Sequence, residues 1–504
     1  MQSSFIVPRA IVLAALATLD GCASIPHDRG LPEVQALVDQ HSGGDHSWTN
    51  APANDGQVSE PVQKLLSQPL TADAAVQVAL FRNPHIQSEF ARVGIAQADV
   101  FEASRIGNPT FSLTALHHSG EVTKLDGGLS ASFSELLMLP ARKRFAAGEY
   151  QRVQASISAA IVSLISDTRA AWYDYVGAQQ VATMRSAVAT AAQVSSDLAA
   201  QFYAAGNISA LQLKLEQAAA TQARLQSVRA HVAARRARSA LSALMGLSGS
   251  TLDWRADDRL PAPLASDESA DALVTLARRQ RLDLASAQQE VALRESGLEL
   301  TQSYHLLGKV DVGVAGERDS DGTKRYGPSL SLQLPIFNQG QGGIARSQAL
   351  LDQSRAQLKA LELEVDNSVR LAADRVGVAR TIAEDYRTAL VPQREAIVAR
   401  TQEQQNYMLV GVFELLQAKQ QEFDAYQGYL EAVRDYWLAR VELARAVGSS
   451  LPSDGTPPAP TLGPEQIIDP PAAAMPHVHH GANAQPADPL HDPAAALDHD
   501  GVAP

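Results

Sequence analysis

Four short stretches of the chain alternate apolar residues with small or polar ones at a period of two. "TFSLTAL" (110–116) sets Phe111, Leu113 and Ala115 on one face, and "LSASFS" (129–134) sets Leu129, Ala131 and Phe133 opposite three serines. "VDVGV" (310–314) and "SLSLQL" (329–334) repeat the pattern later in the chain. Such alternation predicts strands with one apolar face. The connectors "HHSGEVTKLDGG" and "GERDSDGTKRYG" are polar and carry glycine, so each pair reads as a hairpin with an exposed loop.

Around the strands the pattern is helical. "LTADAAVQVALFRNPHI" (70–86) opens with Thr71 as an N-cap, and "SADALVTLARRQRLDLASA" (269–287) echoes it. From about Arg142 to Phe202 there is no proline, and glycine occurs only at 148 and 177. A helix of that length would reach roughly 90 Å. The stretch from Ile344 to Tyr407 is comparable, with Pro392 predicting a kink. Helices this long call for a coiled coil or a helical barrel.

Each long stretch ends in a related motif, "FYAAGNISALQLK" (202–214) and "YMLVGVFELLQAK" (407–419). At an offset of 205, Phe202 meets Tyr407, Gly206 meets Gly411, Ile208 meets Phe413, and Gln212 meets Gln417. Gly206 and Gly411 suit left-handed positions closing one helix. Ser209-x-x-Gln212 reads as a capping box that starts the return helix. The return helices are predicted over 209–246 and 414–447, so the motifs are the tips of two helical hairpins. The body is therefore duplicated, 70–250 and 270–448, with a polar, proline-bearing connector at 251–269. Residues 22–69 read as an extended leader, and 449–504 as a disordered tail too poor in apolar residues to offset its ordering entropy.

Charge and composition narrow the function. A net charge of −13 argues against nucleic acid as a partner, and the basic run "HVAARRARSAL" (231–241) reads as a solvated helix face. The one cysteine, Cys22, excludes an intrachain disulfide or a cysteine metal cluster. It follows Arg9 and the apolar run 10–19, so 1–21 reads as a signal peptide. Leu19-Asp20-Gly21-Cys22 resembles a bacterial lipobox, with Asp20 atypical, and implies acylation of Cys22 and anchoring to the outer membrane. A plain signal peptide with an incidental cysteine is the alternative. No other stretch supplies the roughly 20 apolar residues of a spanning helix. Membrane crossing would then fall to the strands, and four are too few to close a barrel of about eight or more. Open edges cannot face lipid, so closure in a membrane would require an oligomer; three chains would give twelve strands.

The duplicated order of elements, with "LFRNPHIQ" (80–87), "GPSLSLQLPIFNQGQGG" (327–343) and the paired tips, resembles the TolC-like outer-membrane factor family over about 70–448. The resemblance implies a mainly α protomer with a small membrane β part. It implies a homotrimer whose 12-stranded β-barrel continues into a long α-helical barrel. The implied function is the passive channel-tunnel of a tripartite exporter, working with a periplasmic adaptor and an inner-membrane pump of RND type, without enzymatic chemistry. By carry-over, Phe202, Gly206, Ser209, Gln212, Tyr407, Gly411 and Phe413 would meet the adaptor. Glu414 stands where a small hydroxyl residue is common, and Gln417 and Gln420 stand where acidic gate residues often lie. This departure makes Glu414, in a ring of three, the gate candidate; a solvated glutamate at a helix N-terminus is the alternative.

Neutral imidazole binds copper, zinc, nickel and cobalt. The tail carries His477, His479, His480, His491 and His499, which favours heavy-metal export, with incidental histidines as the other reading. Met408 reads as packing rather than a soft ligand, and His117-His118 as polar loop residues. A periplasmic coiled-coil scaffold or adaptor lipoprotein is the competing class. No nucleophile–base pair, phosphate loop or cleft carboxylate pair points to an enzyme.

Overall fold

The computed structural model describes residues 30–43, 60–117, 123–248, 254–455 and 461–468, except Asp258, Leu307, Ser320, Leu462 and 456–460. Helices α1 (Leu31–Ser42) and α2 (Glu60–Leu66) lead into α3 (Ala72–Arg82) and α4 (Pro84–Ala103). Strands β1 (Thr110–Leu116) and β2 (Lys124–Ser132) follow, then α5 (Phe133–Ala204) and α6 (Ala210–Leu244). The second half has α7 (Ala270–Gln280), α8 (Leu282–Tyr304), β3 (Val310–Arg318) and β4 (Lys324–Leu332). It continues with α9 (Gln341–Asp385), a π turn (Tyr386–Leu390), α10 (Val391–Asn406) and α11 (Val412–Val447). A 3₁₀ turn (Pro452–Gly455) and α12 (Pro464–Ile468) close the described chain. Among the described residues no helix is long and apolar enough to cross a membrane.

Each half runs through a pair of short helices, a strand pair and a long helical hairpin in the same order, and the strand bounds differ from those predicted. All four strands form one antiparallel sheet in the order β1-β2-β3-β4. β2 begins at Lys124, five residues inside the predicted loop, and ends before Phe133, which opens α5. β3 runs on to Arg318 and β4 starts at Lys324, so β2, β3 and β4 are each nine residues long. Cross-strand pairing with neighbours, rather than local composition, recruits these charged and glycine residues.

At 72 residues, α5 is roughly 110 Å long. It holds Pro140 at its eighth position, where sequence reasoning placed no helix. Buried alanines (Ala182, Ala199, Ala220, Ala223, Ala234, Ala237) line the α5–α6 seam, and small side chains let two helices approach along their length. Pro392 acts through a π turn rather than a simple kink: the Val391 amide donates to Tyr386 O, one residue beyond the α-helical partner. The extra residue precedes the proline, whose ring would clash with an α-helical carbonyl. Tyr386 lies against Gly428, where a Cβ would stand 2.6 Å from its ring.

The short helices of each half break at matching points. Asn83, forced extended by Pro84, caps α4 through His85 N at 2.8 Å and donates from Nδ2 to Leu244 O at 2.8 Å. Arg281 occupies the same position in the second half. It pairs with Asp283 and donates to Ala446 O at 3.0 Å. Each hinge thus ties to the last turn of its own return helix.

A belt of aromatic and charged residues gathers the remaining segments around the shaft. Trp172 Nε1 donates to Leu70 O at 2.8 Å, and Trp437 Nε1 to Pro261 O at 2.6 Å. Arg440, 3% exposed, reaches Asp267 at 3.0 Å, Asp454 at 2.8 Å and Ser453 at 2.5 Å. Buried Tyr436 donates to Asp267 at 3.2 Å, and its burial raises its pKa. The expected extended leader instead contains α1 and α2, with Val34 and Val38 packed among Ile86, Phe90, Ile157 and Ile161. Within the expected disordered tail, the described residues 449–455 and 463–468 include a 3₁₀ turn and α12, with Leu451 and Ile467 buried. A few well-placed apolar residues suffice where a preformed helical surface receives them.

Replacing Arg440 with alanine removes the guanidinium shared by Asp267 and Asp454, while Asp267 keeps Arg380 at 3.2 Å and Asp454 keeps the Leu451 amide at 2.8 Å. A loss of about 1–3 kcal/mol is expected. Thermal unfolding in detergent should show a clearly lowered midpoint. An unchanged midpoint would show that the belt does not hold the shaft.

Candidate functional site: the two faces of the sheet and the helical tips

Paired residues in a sheet share a face, so the register sorts the side chains. On one face lie the rows Phe111–Leu129–Val314–Pro328, Leu113–Gly127–Gly316–Tyr326 and Ala131–Val312–Leu330, with Val310–Leu332 below. This face is bare: Phe111 is 69% and Tyr326 87% exposed. At its loop end Arg318 pairs with Lys324, so this face ends in two bases. The other face carries Thr110–Ser130–Gly313–Ser329, Ser112–Gly128–Ala315–Gly327 and Thr114–Asp126–Glu317–Arg325, with Ser132–Asp311–Ser331 below. One side is thus apolar up to its loop end, and the other is small and polar.

At the opposite end stand the tips, and there the structure corrects the sequence repeat. The first helix closes with Gly206 N donating to Tyr203 O at 2.9 Å and Asn207 N to Phe202 O at 2.8 Å. The second closes with Met408 N donating to Gln405 O at 2.9 Å and Leu409 N to Gln404 O at 2.9 Å. These are the same Schellman turn, displaced by 408 − 206 = 202 residues rather than the 205 of the sequence match. Gly206 (φ 78°) is therefore equivalent to Met408 (φ 58°), the described chain's one left-handed residue other than glycine. Gly411 is not left-handed; at φ −81°, ψ 164° it is the extended N-cap of α11, equivalent to Ser209 at φ −76°, ψ 157°.

The capping box is correspondingly divided. Ser209 Oγ accepts from Gln212 N at 3.1 Å, but the Gln212 side chain turns away to Glu216 Oε1 at 3.1 Å. In the second tip Gly411 has no side chain to cap with, and Glu414 lies over it, its Oε2 2.7 Å from where a Cβ would be. Behind the tips a cavity of about 500 Å³ opens between α5, α6 and α11, lined among others by Ser195, Glu216, Phe413, Glu414 and Phe423. Ser195 Oγ donates to Glu216 at 2.9 Å on its wall. Phe202 meets Phe413 edge to face at 6.1 Å, joining the two tips, and Arg185 pairs with Asp424 at 2.9 Å, joining the hairpins higher up.

Of the residues singled out from sequence, Phe202, Gly206, Ser209, Gln212, Tyr407, Gly411, Phe413 and Glu414 all gather at this end. Tyr407, Met408 and Leu409 are all exposed, Met408 at 93%. Glu216, Arg185 and the Asp126–Glu317 pair were missed; the last lay within predicted loops. His117 Nδ1 stands 3.2 Å from Thr123 Oγ1. Among the described residues no group of three or more His, Cys, Asp or Glu could hold a metal. Cys22, His118 and the tail histidines His477, His479, His480, His491 and His499 lie outside the described residues.

A duplicated protomer with a two-faced sheet above paired helical hairpins has the fold of the TolC-like outer-membrane efflux channels. Among solved structures, the chain is similar to the CmeC outer membrane channel of Campylobacter jejuni, at 16% identity and a TM-score of 0.61, over 80% of this chain and 94% of that one. It is also similar to CusC, at 13% identity and TM-score 0.61 over 81% and 99% of the two chains. The MtrE outer membrane channel of Neisseria gonorrhoeae matches at 14% and 0.58 over 80% and 95%. No family model and no curated protein sequence matches the chain.

The tips make opposite predictions. Met408→Gly removes a left-handed penalty of roughly 1 kcal/mol, and Gly206→Ala introduces one. Hydrogen exchange should slow at the Leu409 amide in the first variant and quicken at Asn207 in the second. Equal changes of one sign would contradict the equivalence of these residues.

Proposed function

We propose that this chain is the outer-membrane channel-tunnel of a tripartite efflux system, a passive conduit that performs no covalent chemistry. The observation that carries this reading is the sheet: a bare apolar face, a polar face and two open edges, set on long helices of which α5 reaches about 110 Å. Lipid would cover the apolar face. Since open edges cannot rest in lipid, β4 of one copy would pair with β1 of the next, and three copies close a twelve-stranded barrel around the polar faces. The fold shared with CmeC, MtrE and CusC supports the reading.

The exposed Tyr407-Met408-Leu409 end, with Phe202, Gly206, Ser209, Gln212, Gly411 and Phe413, would receive a periplasmic adaptor, itself joined to an inner-membrane pump of RND type. Glu414, brought together by the copies, would form the narrow gate. Acylated Cys22 would anchor the mature chain to the outer membrane. The test is the native mass of the full chain extracted from outer membranes in mild detergent. A trimer carrying acyl mass is expected; a monomer would mean that the edges do not close and would favour a periplasmic scaffold.

The exported solute we infer to be heavy-metal ions such as copper, zinc, cobalt or nickel, from the imidazoles of His477, His479, His480, His491 and His499. Titration of the full chain with Cu²⁺ or Zn²⁺ should show binding that is lost on removing residues 469–504. Binding that survives the truncation, or is absent from the full chain, would remove the metal reading while leaving the conduit untouched.

A further inference from the structure

The polar face of the sheet is not uniform. Two of its rows, Thr110–Ser130–Gly313–Ser329 and Ser112–Gly128–Ala315–Gly327, contain only small uncharged residues. The next row toward the loops is Thr114–Asp126–Glu317–Arg325. Here Asp126 and Glu317 stand directly opposite each other across β2 and β3. Like charges so placed destabilise a sheet. The position is kept by Lys124 of the same face, whose Nζ pairs with Glu317 and stands 4.0 Å from Asp126 and 3.8 Å from Asp319. Arg325 faces Glu317 across β3 and β4 and lies 3.3 Å from Asp319. Three carboxylates thus meet two bases, leaving one excess negative charge per chain at this level.

We propose that the Asp126–Glu317–Arg325 row is the ion-discriminating level of the barrel near its outer mouth. The inference rests on the channel reading above and adds residues to it that the tips do not contain. Closing the sheet with further copies would repeat the row around the lumen, with one excess negative charge from each. A net charge of one sign in a passage with low-dielectric walls focuses the field and raises the local concentration of counter-ions. The two adjacent rows of threonine, serine, glycine and alanine place no charge beside the charged row, and the next carboxylate on this face, Asp311 in the row Ser132–Asp311–Ser331, is paired by Lys309 at 3.4 Å. Cations would pass this level more readily than anions of equal size.

The test is the reversal potential of the full-length protein in planar bilayers under a potassium chloride gradient. The wild type should prefer potassium. In Asp126→Asn/Glu317→Gln the balance becomes one carboxylate against two bases, and the preference should reverse to chloride. In Arg325→Gln it becomes three against one, and the potassium preference should rise by about twofold or more. The two variants move in opposite directions, so a general loosening of the barrel cannot imitate both. Glu414→Gln, measured alongside, should lower the potassium preference without reversing it, because the outer row remains. Wild-type protein that never conducts would sink the channel reading itself. Conductance whose selectivity neither row variant moves, even with lowered thermal stability, would overturn the proposal and leave the row a clamp between strands.

Discussion

A backbone amide or carbonyl inside a bilayer has no water to bond, so it must find its partner in protein. A sheet ordered β1-β2-β3-β4 satisfies its two inner strands and leaves one edge each of β1 and β4 unpaired. Most of the protein can be understood from that incompleteness. The exposed apolar rows, each large side chain worth roughly 1.5–3 kcal/mol when removed from water, make the bare sheet untenable in solution. The open edges make it equally untenable alone in lipid. Both difficulties would be met together if copies joined edge to edge with their polar faces inward, as in the proposed barrel.

The helices obey a second, mechanical constraint. From the tip to its closing glycine each return arm spans the same length, 246 − 206 and 448 − 408 both being 40 residues. Gly246 and Gly448 are left-handed and press against the hinges, a Cβ at the first meeting Arg82 O at 2.5 Å and at the second the Arg281 side chain at 2.7 Å. Asn83 and Arg281 grasp the last turns of these arms. The halves are therefore matched at both ends of the return helix, although the descending arms differ, one continuous and the other carrying a π turn at Pro392.

Periodicity made the strands, the hairpins and the duplication legible, because apolar alternation and long proline-free stretches follow directly from burial and backbone geometry. It did not fix where elements end. Lys124, Asp126, Glu317 and Arg325 read as loop residues, since a charged strand end is stabilised by partners distant in sequence. The repeat at offset 205 aligned side-chain chemistry, whereas the backbone repeats at offset 202. Leu211, Gln212 and the leucines around them recur often enough in amphipathic helices for a match to slip by nearly one turn without losing its pattern. Only the hydrogen bonds of the closing turn distinguish the two alignments. Likewise α1 and α12 are short and weakly apolar, and their order comes from the surface they land on.

The slip changes what the tips mean. In a perfect duplication both would end on glycine and present the same surface. Instead the first tip places Gly206 and a serine cap at its turn, relaxed and mostly small. The second places Met408 in a strained left-handed conformation between Tyr407 and Leu409, followed by a glycine that cannot cap. Backbone strain of this kind clusters at sites that bind or switch. A closed ring built from such chains would alternate polar and apolar tips, and a partner able to grip it would need to read that alternation. Duplication supplied the architecture, and the three-residue divergence between chemistry and backbone gave the two ends separate identities.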